Sequence, residues 1–296
     1  MVGSLCLFVF LSWLFVLILV LPAGMYWYPW VFVPLTALVW SSIYWPSPVC
    51  YWESFINGYI MEQCRRYFKM TYKVEQPLDT SRNYLICHFP HGVFPLGPLL
   101  GSSVVKIMSP GLKVYGISSD SIFKIPLYRH IFSWLGCRPA TRENFKKLLG
   151  EASCGVVVGG LAEMYMQHED HEEVLLRSRK GFVEVALETG SPLVPVYYFG
   201  NSQILRFVPK SLQSFSRKLR VSLGIVYGRY FLPVPFLVPL HMVVGKPVEV
   251  PKMAKEDPEF PKMVEEVHQR LVQALQELFD NNKEEYGWKN RKLVIV

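Results

Sequence analysis

A mixed, largely parallel α/β sheet with flanking helices, preceded by an N-terminal transmembrane helical hairpin, is the fold this sequence predicts. Three observations point to it. Residues 1–52 contain no Asp, Glu, Lys, Arg or His, so all 31 basic and 24 acidic residues of the 296 fall from Glu53 onward. Beyond residue 75, short apolar runs alternate with segments of helical periodicity, the pattern of an α/β sandwich. A long amphipathic stretch then closes the chain.

The hairpin comes first. Leu5–Leu21 is apolar apart from one serine and is long enough for about 26 Å of helix at 1.5 Å per residue. Pro22-Ala23-Gly24 is expected to break it. A second uncharged stretch, Met25–Trp45, has Tyr26, Trp27, Tyr28 and Trp30 at one end and Tyr44 and Trp45 at the other, as an interfacial aromatic belt does. No basic segment precedes the first apolar run, which separates it from a cleaved signal peptide. The division expected is a transmembrane or re-entrant hairpin at 1–45, an interfacial segment at 46–75 and a cytosolic domain at 76–296. In the middle segment Trp52, Phe55, Ile56, Tyr59, Ile60 and Tyr67 recur at helical spacing, while Arg65, Arg66, Lys69 and Lys73 outnumber Glu53 and Glu62. That excess favours a cytosolic face and suits anionic lipid.

Tyr84–Cys87, Val114–Ile117, Gly155–Val158, Leu193–Phe199 and His241–Val244 read as buried strands. Arg142–Leu149 and Gly181–Thr189 read as helices, the second stopped by Gly190, and Asp257–Phe279 as an amphipathic helix with Val264, Val267, Leu271, Leu275 and Leu278 on one face. Val221–Gly245 is apolar but carries Pro233, Pro235 and Pro239, so it is expected to be loop and strand rather than a membrane helix. The six cysteines include no C-x-x-C pair and are expected to be reduced thiols.

The chemistry concentrates around His91. It lies in Cys87-His88-Phe89-Pro90-His91-Gly92-Val93-Phe94-Pro95-Leu96-Gly97, on a Pro/Gly-bounded turn after an apolar strand, where an imidazole is placed to take a proton from an alcohol. On a protein anchored in lipid, such a base suggests lipid chemistry. Glu163, just after Gly159-Gly160 at the end of another apolar strand, is the carboxylate best placed to orient the ring and raise its proton affinity. His88 ends the strand, and because adjacent strand residues face opposite ways it need not point at the site; it is at most accessory. His168 and His171 have an i, i+3 spacing that a metal could use, but H-E-x-x-H is absent; the segment reads as an exposed polar loop and no metal is expected. Nor is there a G-x-S-x-G elbow or a nucleic-acid motif.

Phe89-Pro90-His91-Gly92, Gly159-Gly160-Leu161-Ala162-Glu163, Arg179-Lys180-Gly181-Phe182 with Ala186-Leu187-Glu188-Thr189-Gly190, and Leu193-Val194-Pro195-Val196-Tyr197-Tyr198-Phe199-Gly200 stand in the order seen in the type 2 diacylglycerol acyltransferases. The sequence resembles that family over roughly residues 80–250, including the late Val244-Gly245-Lys246-Pro247. Monoacylglycerol and wax-alcohol acyltransferases share these blocks, and the glycerophosphate acyltransferases are similar more distantly, which implies a fold like theirs. The family's His-Pro-His-Gly has Phe89 at its first position here, so its catalytic role passes to His91 alone. The glycerophosphate enzymes pair their histidine with an aspartate five residues later; this chain has Leu96. An acidic residue is frequent in the family after the fourth block's Phe-Gly, where this chain has Asn201.

The resemblance implies direct acyl transfer from acyl-CoA, a co-substrate, to diacylglycerol, with His91 as general base, no covalent acyl-enzyme and no cofactor. Backbone donors around Gly92, Gly159 and Gly160 are the candidates for an oxyanion site. Arg177, Arg179 and Lys180, at a helix start, form one candidate site for the phosphates of CoA; Arg138 and Arg142 form another. With CoA and membrane as partners, the net charge of +7 requires no nucleic acid. By resemblance the location is the endoplasmic reticulum, with lipid droplets in addition. A monoacylglycerol or long-chain alcohol acceptor, a non-catalytic lipid-droplet hairpin protein, and assembly as a homo-oligomer stay open.

Overall fold

The structure, a computed structural model, describes residues 2–47, 50–102, 104, 109–212, 214 and 224–296. Its centre is a seven-stranded sheet of β1 (Thr71–Val74), β2 (Leu85–Phe89), β3 (Val114–Ser118), β4 (Arg138–Pro139), β5 (Ser153–Val157), β7 (Leu193–Phe199) and β10 (His241–Val244). The strand order is β1-β10-β7-β2-β5-β3-β4, and only the β10–β7 pairing is antiparallel. β6 (His171–Val174) pairs with β11 (Lys292–Ile295), and β8 (Arg206–Val208) with β9 (Ile225–Tyr227).

The helices are α1 (Val2–Phe15), α2 (Leu21–Trp27), α3 (Pro29–Ser41), α4 (Glu53–Ile56), α5 (Tyr59–Tyr67), α6 (Leu96–Gly101), α7 (Tyr128–Trp134), α8 (Arg142–Glu151), α9 (Gly181–Thr189) and α10 (Phe260–Asn282). α8, α9 and α10 cover one face of the sheet. There Leu85, Cys87 and Phe89 of β2 and Tyr197 and Phe199 of β7 join Leu148, Ala186 and Leu271 in one apolar core. The alternate residues Ile86, Val194, Val196 and Tyr198 form a second core on the opposite face. A central strand buried on both faces is apolar nearly throughout, and every residue of β7 is buried.

Local chemistry sets the ends. The Thr141 side chain accepts from Asn144 N–H and caps α8. Gly190, at φ +69°, closes α9 in the left-handed conformation its sequence position suggested. α10 begins three residues later than its periodicity implied. Asp257 Oδ1 accepts from Glu259 N–H in a preceding turn, and Pro261, which has no N–H to contribute, sits in the first turn. Residues 221–223 lie outside the described residues; the rest of that apolar stretch forms β9, a turn at Tyr230-Phe231 and β10, as loop and strand.

The hairpin differs in two respects. Pro22 does not break the first helix, which runs as one rod from Val2 to Trp27, long and apolar enough to cross a membrane. The rod widens over Val16–Val20, where Leu21 N–H reaches back five residues to Val16 O, and Pro22 falls at the start of the next helical segment, where a missing N–H is tolerated. The reversal comes at Tyr28-Pro29 instead, and Phe32 packs so closely on Gly24 that a side chain there would overlap its ring.

The second difference is that part of the first helix packs against the residues that follow the hairpin. Leu7 and Leu11 are buried with Ile56, Phe68, Val93 and Leu96 in a third apolar core, Phe10 stacks on Tyr128 and meets Phe94 edge-on, and Trp13 Nε1 donates to Pro126 O at 2.8 Å. Ile18, Leu19, Tyr26, Trp27 and Trp30, by contrast, are exposed. The α1 half of the rod is therefore part of the domain. Leu7→Ala is expected to lower stability by about 2–4 kcal/mol, the cost of a buried leucine cavity, whereas Leu19→Ala leaves the thermal midpoint in detergent unchanged; equal midpoints for the two variants would contradict the packing.

Candidate active site

Three neighbouring strands, β7, β2 and β5, run parallel, and their carboxyl ends deliver three residues to one place: Asn201, His91 and Glu163. Open α/β sheets place their sites at such strand ends. β2 ends at Phe89, and after Pro90 the chain turns through His91 and Gly92, the latter at φ +62°. A Cβ on Gly92 would stand 2.9 Å from Asn201 O, so the turn needs glycine for both its conformation and its space.

The half-buried His91 ring is anchored through Nδ1, 2.9 Å from Gly92 O. A carbonyl only accepts, so Nδ1 carries the proton and Nε2 keeps its lone pair. Burial holds the imidazole below its ordinary pKa of 6.5, and the bond to Gly92 O offsets part of that shift.

Glu163 is 2% exposed. Beyond β5, the turn Gly160–Tyr165 folds it back under Gly159, where any Cβ would overlap its carboxyl group. One carboxylate oxygen accepts from His91 N–H at 2.5 Å and the other from Leu175 N–H at 2.8 Å. Here the expected geometry needs correction. Glu163 grips the backbone of His91, the ring bonds to Gly92 O, and the imidazole is shifted down by burial rather than up by a carboxylate. Desolvation pushes Glu163 itself up to about 7, against the pull of the two N–H donors and of Arg179.

Asn201 had no assigned role in the sequence reading, and it is fully buried. Its Nδ2 donates to Pro90 O at 3.1 Å and His91 O at 3.0 Å, while Oδ1 accepts from Gly97 N–H at 2.8 Å. Two carbonyls and one N–H require an amide; a carboxylate would face both carbonyls without a donor. The available signal was a polar side chain directly after the buried strand β7 and Gly200.

The other candidates are placed less centrally. His88 faces the opposite side of the sheet from the core that holds Phe89, its Nδ1 3.1 Å from Tyr198 Oη, and burial lowers it to about 4, so it does not accompany His91. Gly160, at φ +63°, has open space where a side chain would point. Arg142 pairs with Glu184 and Glu188 of α9, and Lys180 with Glu265 of α10. Arg177 Nε donates to Ile295 O at 2.8 Å. The Arg138 Nε is buried without a hydrogen-bond partner, and Arg179 is exposed, with Glu163 within reach of its charge. Arg142 and Lys180 would have to exchange carboxylate partners for phosphate.

A largely parallel sheet with a half-buried imidazole and a buried carboxyl group at the ends of adjacent strands is the arrangement of an α/β enzyme site. The family model of diacylglycerol acyltransferase matches residues 25–296, and the chain belongs to that family of acyltransferases. It is 33% identical over 266 residues to diacylglycerol O-acyltransferase 2-like protein 6 of Bos taurus, covering 81% of this chain and 78% of the relative. It is 32% identical over 248 residues to diacylglycerol O-acyltransferase 2 of Dictyostelium discoideum, covering 77% and 74%. A solved structure, the 1-acyl-sn-glycerophosphate acyltransferase PlsC of Thermotoga maritima, aligns with 87% of this chain and 97% of its own at 17% identity and a TM-score of 0.41.

Asn201→Ala is expected to cost about 2 kcal/mol by stranding buried backbone groups, and Asn201→Asp more, with activity falling in the same order in thermal melts and turnover assays. Glu163→Gln supplies one oxygen for two N–H donors and should lower stability. Because Glu163 titrates higher folded than its ordinary 4.5, its stabilising share is complete below about 4.5 and is lost as the pH rises through about 7. The melting advantage of wild type over Glu163→Gln should therefore shrink across that window; an advantage that grew with pH would contradict the assignment.

Proposed function

We propose that this acyltransferase moves a fatty acyl group from acyl-CoA to the free hydroxyl of diacylglycerol, making triacylglycerol in one displacement, with His91 as general base. The observation that carries the reading is the His91 ring, with Nδ1 committed to Gly92 O and Nε2 left to accept. Two relatives named diacylglycerol O-acyltransferase 2 support the acceptor.

In this mechanism the acceptor hydroxyl gives its proton to Nε2 as its oxygen attacks the thioester carbonyl. The tetrahedral intermediate collapses, the carbon–sulfur bond breaks, and the CoA thiolate takes the proton back from the imidazolium. Of the three glycines considered for the oxyanion, Gly160 is favoured: its left-handed turn borders open space, whereas Gly92 is closed in by Asn201 and Gly159 by Glu163. Glu163 acts as a positioning residue, holding the His91 backbone while the ring takes up and returns the proton. Arg177 and Arg179 are the candidates for the CoA phosphates, Arg138 lies at the sheet edge as a further one, and Arg142 and Lys180 serve chiefly to tie helices together.

The exposed hairpin delivers the site to lipid. Its arms, Val16–Trp27 and Pro29–Ser41, are about 18 and 20 Å long at 1.5 Å per residue, short of the roughly 30 Å hydrocarbon core. Both ends return to the domain, one through Leu7 and Leu11 and the other through buried Ser42, whose Oγ accepts from Leu127 N–H. A re-entrant hairpin follows, with the domain on one side of the membrane. The basic excess at Arg65, Arg66, Lys69 and Lys73 assigns that side to the cytosol, and the endoplasmic reticulum is the membrane we propose.

Purified protein given labelled oleoyl-CoA with diacylglycerol, monoacylglycerol and hexadecanol in competition should yield triacylglycerol as the main product; a dominant diacylglycerol or wax ester would reassign the acceptor. His91→Ala should lose about a hundredfold or more of activity, in the range of general-base catalysis, while remaining membrane-bound. Since the base works neutral and its pKa is lowered, the acid limb of kcat/KM should lie below pH 6.5; unchanged ester synthesis in His91→Ala would reject the enzyme reading.

A further inference from the structure

β6 and the turn leading into it gather a second set of reactive side chains, which the acyl-transfer mechanism does not use. His168, His171 and Glu173 each offer one ligand atom, and the three atoms lie within 4.8 Å of one another. His168 Nε2 is 2.6 Å from Glu173 Oε2, and the two imidazoles stack with centroids 4.1 Å apart and planes at 21°. All three residues are half-buried.

This turn is not the loose polar loop its composition suggested. The Arg291 guanidinium donates to the carbonyls of Glu169 at 2.5 Å, His168 at 3.0 Å and His171 at 3.2 Å, and its Nε donates to Glu172 Oε1 at 2.8 Å. Glu172 is itself buried and accepts from Ser202 and Tyr197. The Trp288 ring lies 4.7 Å from the guanidinium. The two histidines are thus presented from a backbone clamped at three carbonyls.

The donor set is specific in its chemistry. Asp170 Oδ1 is 2.8 Å from His171 Nδ1, which fixes that ring as the Nδ1–H form and leaves Nε2 to bind, the carboxylate–histidine–metal arrangement. Two imidazoles and one carboxylate suit borderline cations such as Zn²⁺, whereas Mg²⁺ and Ca²⁺ require oxygen shells. Ligands about 2.1 Å from a tetrahedral centre stand about 3.4 Å apart, so small side-chain rotations close the triangle.

We propose that His168, His171 and Glu173 form a binding site for one divalent transition cation of the zinc class, with water in the fourth position. On binding, the His168 proton that bridges to Glu173 moves from Nε2 to Nδ1 of the same ring, and the metal takes its place. The site stands at the start of the segment that ends in Leu175, the second N–H donor to Glu163, so occupancy also braces the carboxylate behind His91.

The test is calorimetric titration of the purified, chelator-treated full-length protein in detergent with ZnCl₂ at about pH 7.5. One saturable site is expected, with MgCl₂ giving none. His168→Gln and Glu173→Gln should each weaken Zn²⁺ binding at least about tenfold without lowering the metal-free thermal midpoint, and Cys50→Ser, at an exposed thiol elsewhere, should leave it unchanged. Absence of saturable binding overturns the site, as does equal affinity in His168→Gln and wild type, or loss of the heat in Cys50→Ser.

Discussion

The structure turns on a buried carboxyl group that holds backbone rather than side chain. Glu163 lies under Gly159 and commits its two oxygens to the N–H groups of His91 and Leu175. Removing a carboxyl group from water is costly unless its lone pairs are met, so this contact exists only while two distant segments stand in register. It ties the loop after β2 to the turn after β5 and to the segment after β6. The cost of that burial is visible in a proton affinity near neutrality.

Asn201 completes the frame from the other side. With Glu163 on the His91 N–H and Asn201 on the carbonyls of Pro90 and His91, the peptide units flanking the histidine have little freedom. The ring's one remaining choice, which nitrogen carries hydrogen, is decided by Gly92 O. In the proposed transfer, an imidazole held in this way would not have to be ordered when substrate arrives, which is how positioning contributes to rate. Glycines at 92 and 159 matter for the same reason: each leaves the volume in which a polar partner sits.

The apolar N-terminus is coupled to this frame rather than hung beside it. Phe94, three residues after His91, meets Phe10 of α1, and Val93 and Leu96 share a core with Leu7 and Leu11. The first helix and the loop that carries His91 are therefore one packing unit.

Much of this was legible in the chain itself. Short apolar runs marked five strands of the sheet, because a sheet covered on both faces leaves few positions for polar residues; Gly190 marked the end of α9 because only glycine enters the left-handed region freely. The charge-free first 52 residues announced the paired apolar helices, and the block around His91 announced the turn at the end of β2. Other features depended on contacts far apart in sequence. Which atoms Glu163 would meet, that Asn201 would close the loop across 110 residues, that Pro22 would be absorbed by a widened turn, and that half of the first helix would belong to the core are outcomes of packing. Hydrophobic pattern is a local property that each segment carries with it, whereas a hydrogen-bond partner is selected only when the whole sheet has brought the strand ends together; that difference separates what sequence determined from what tertiary structure decided.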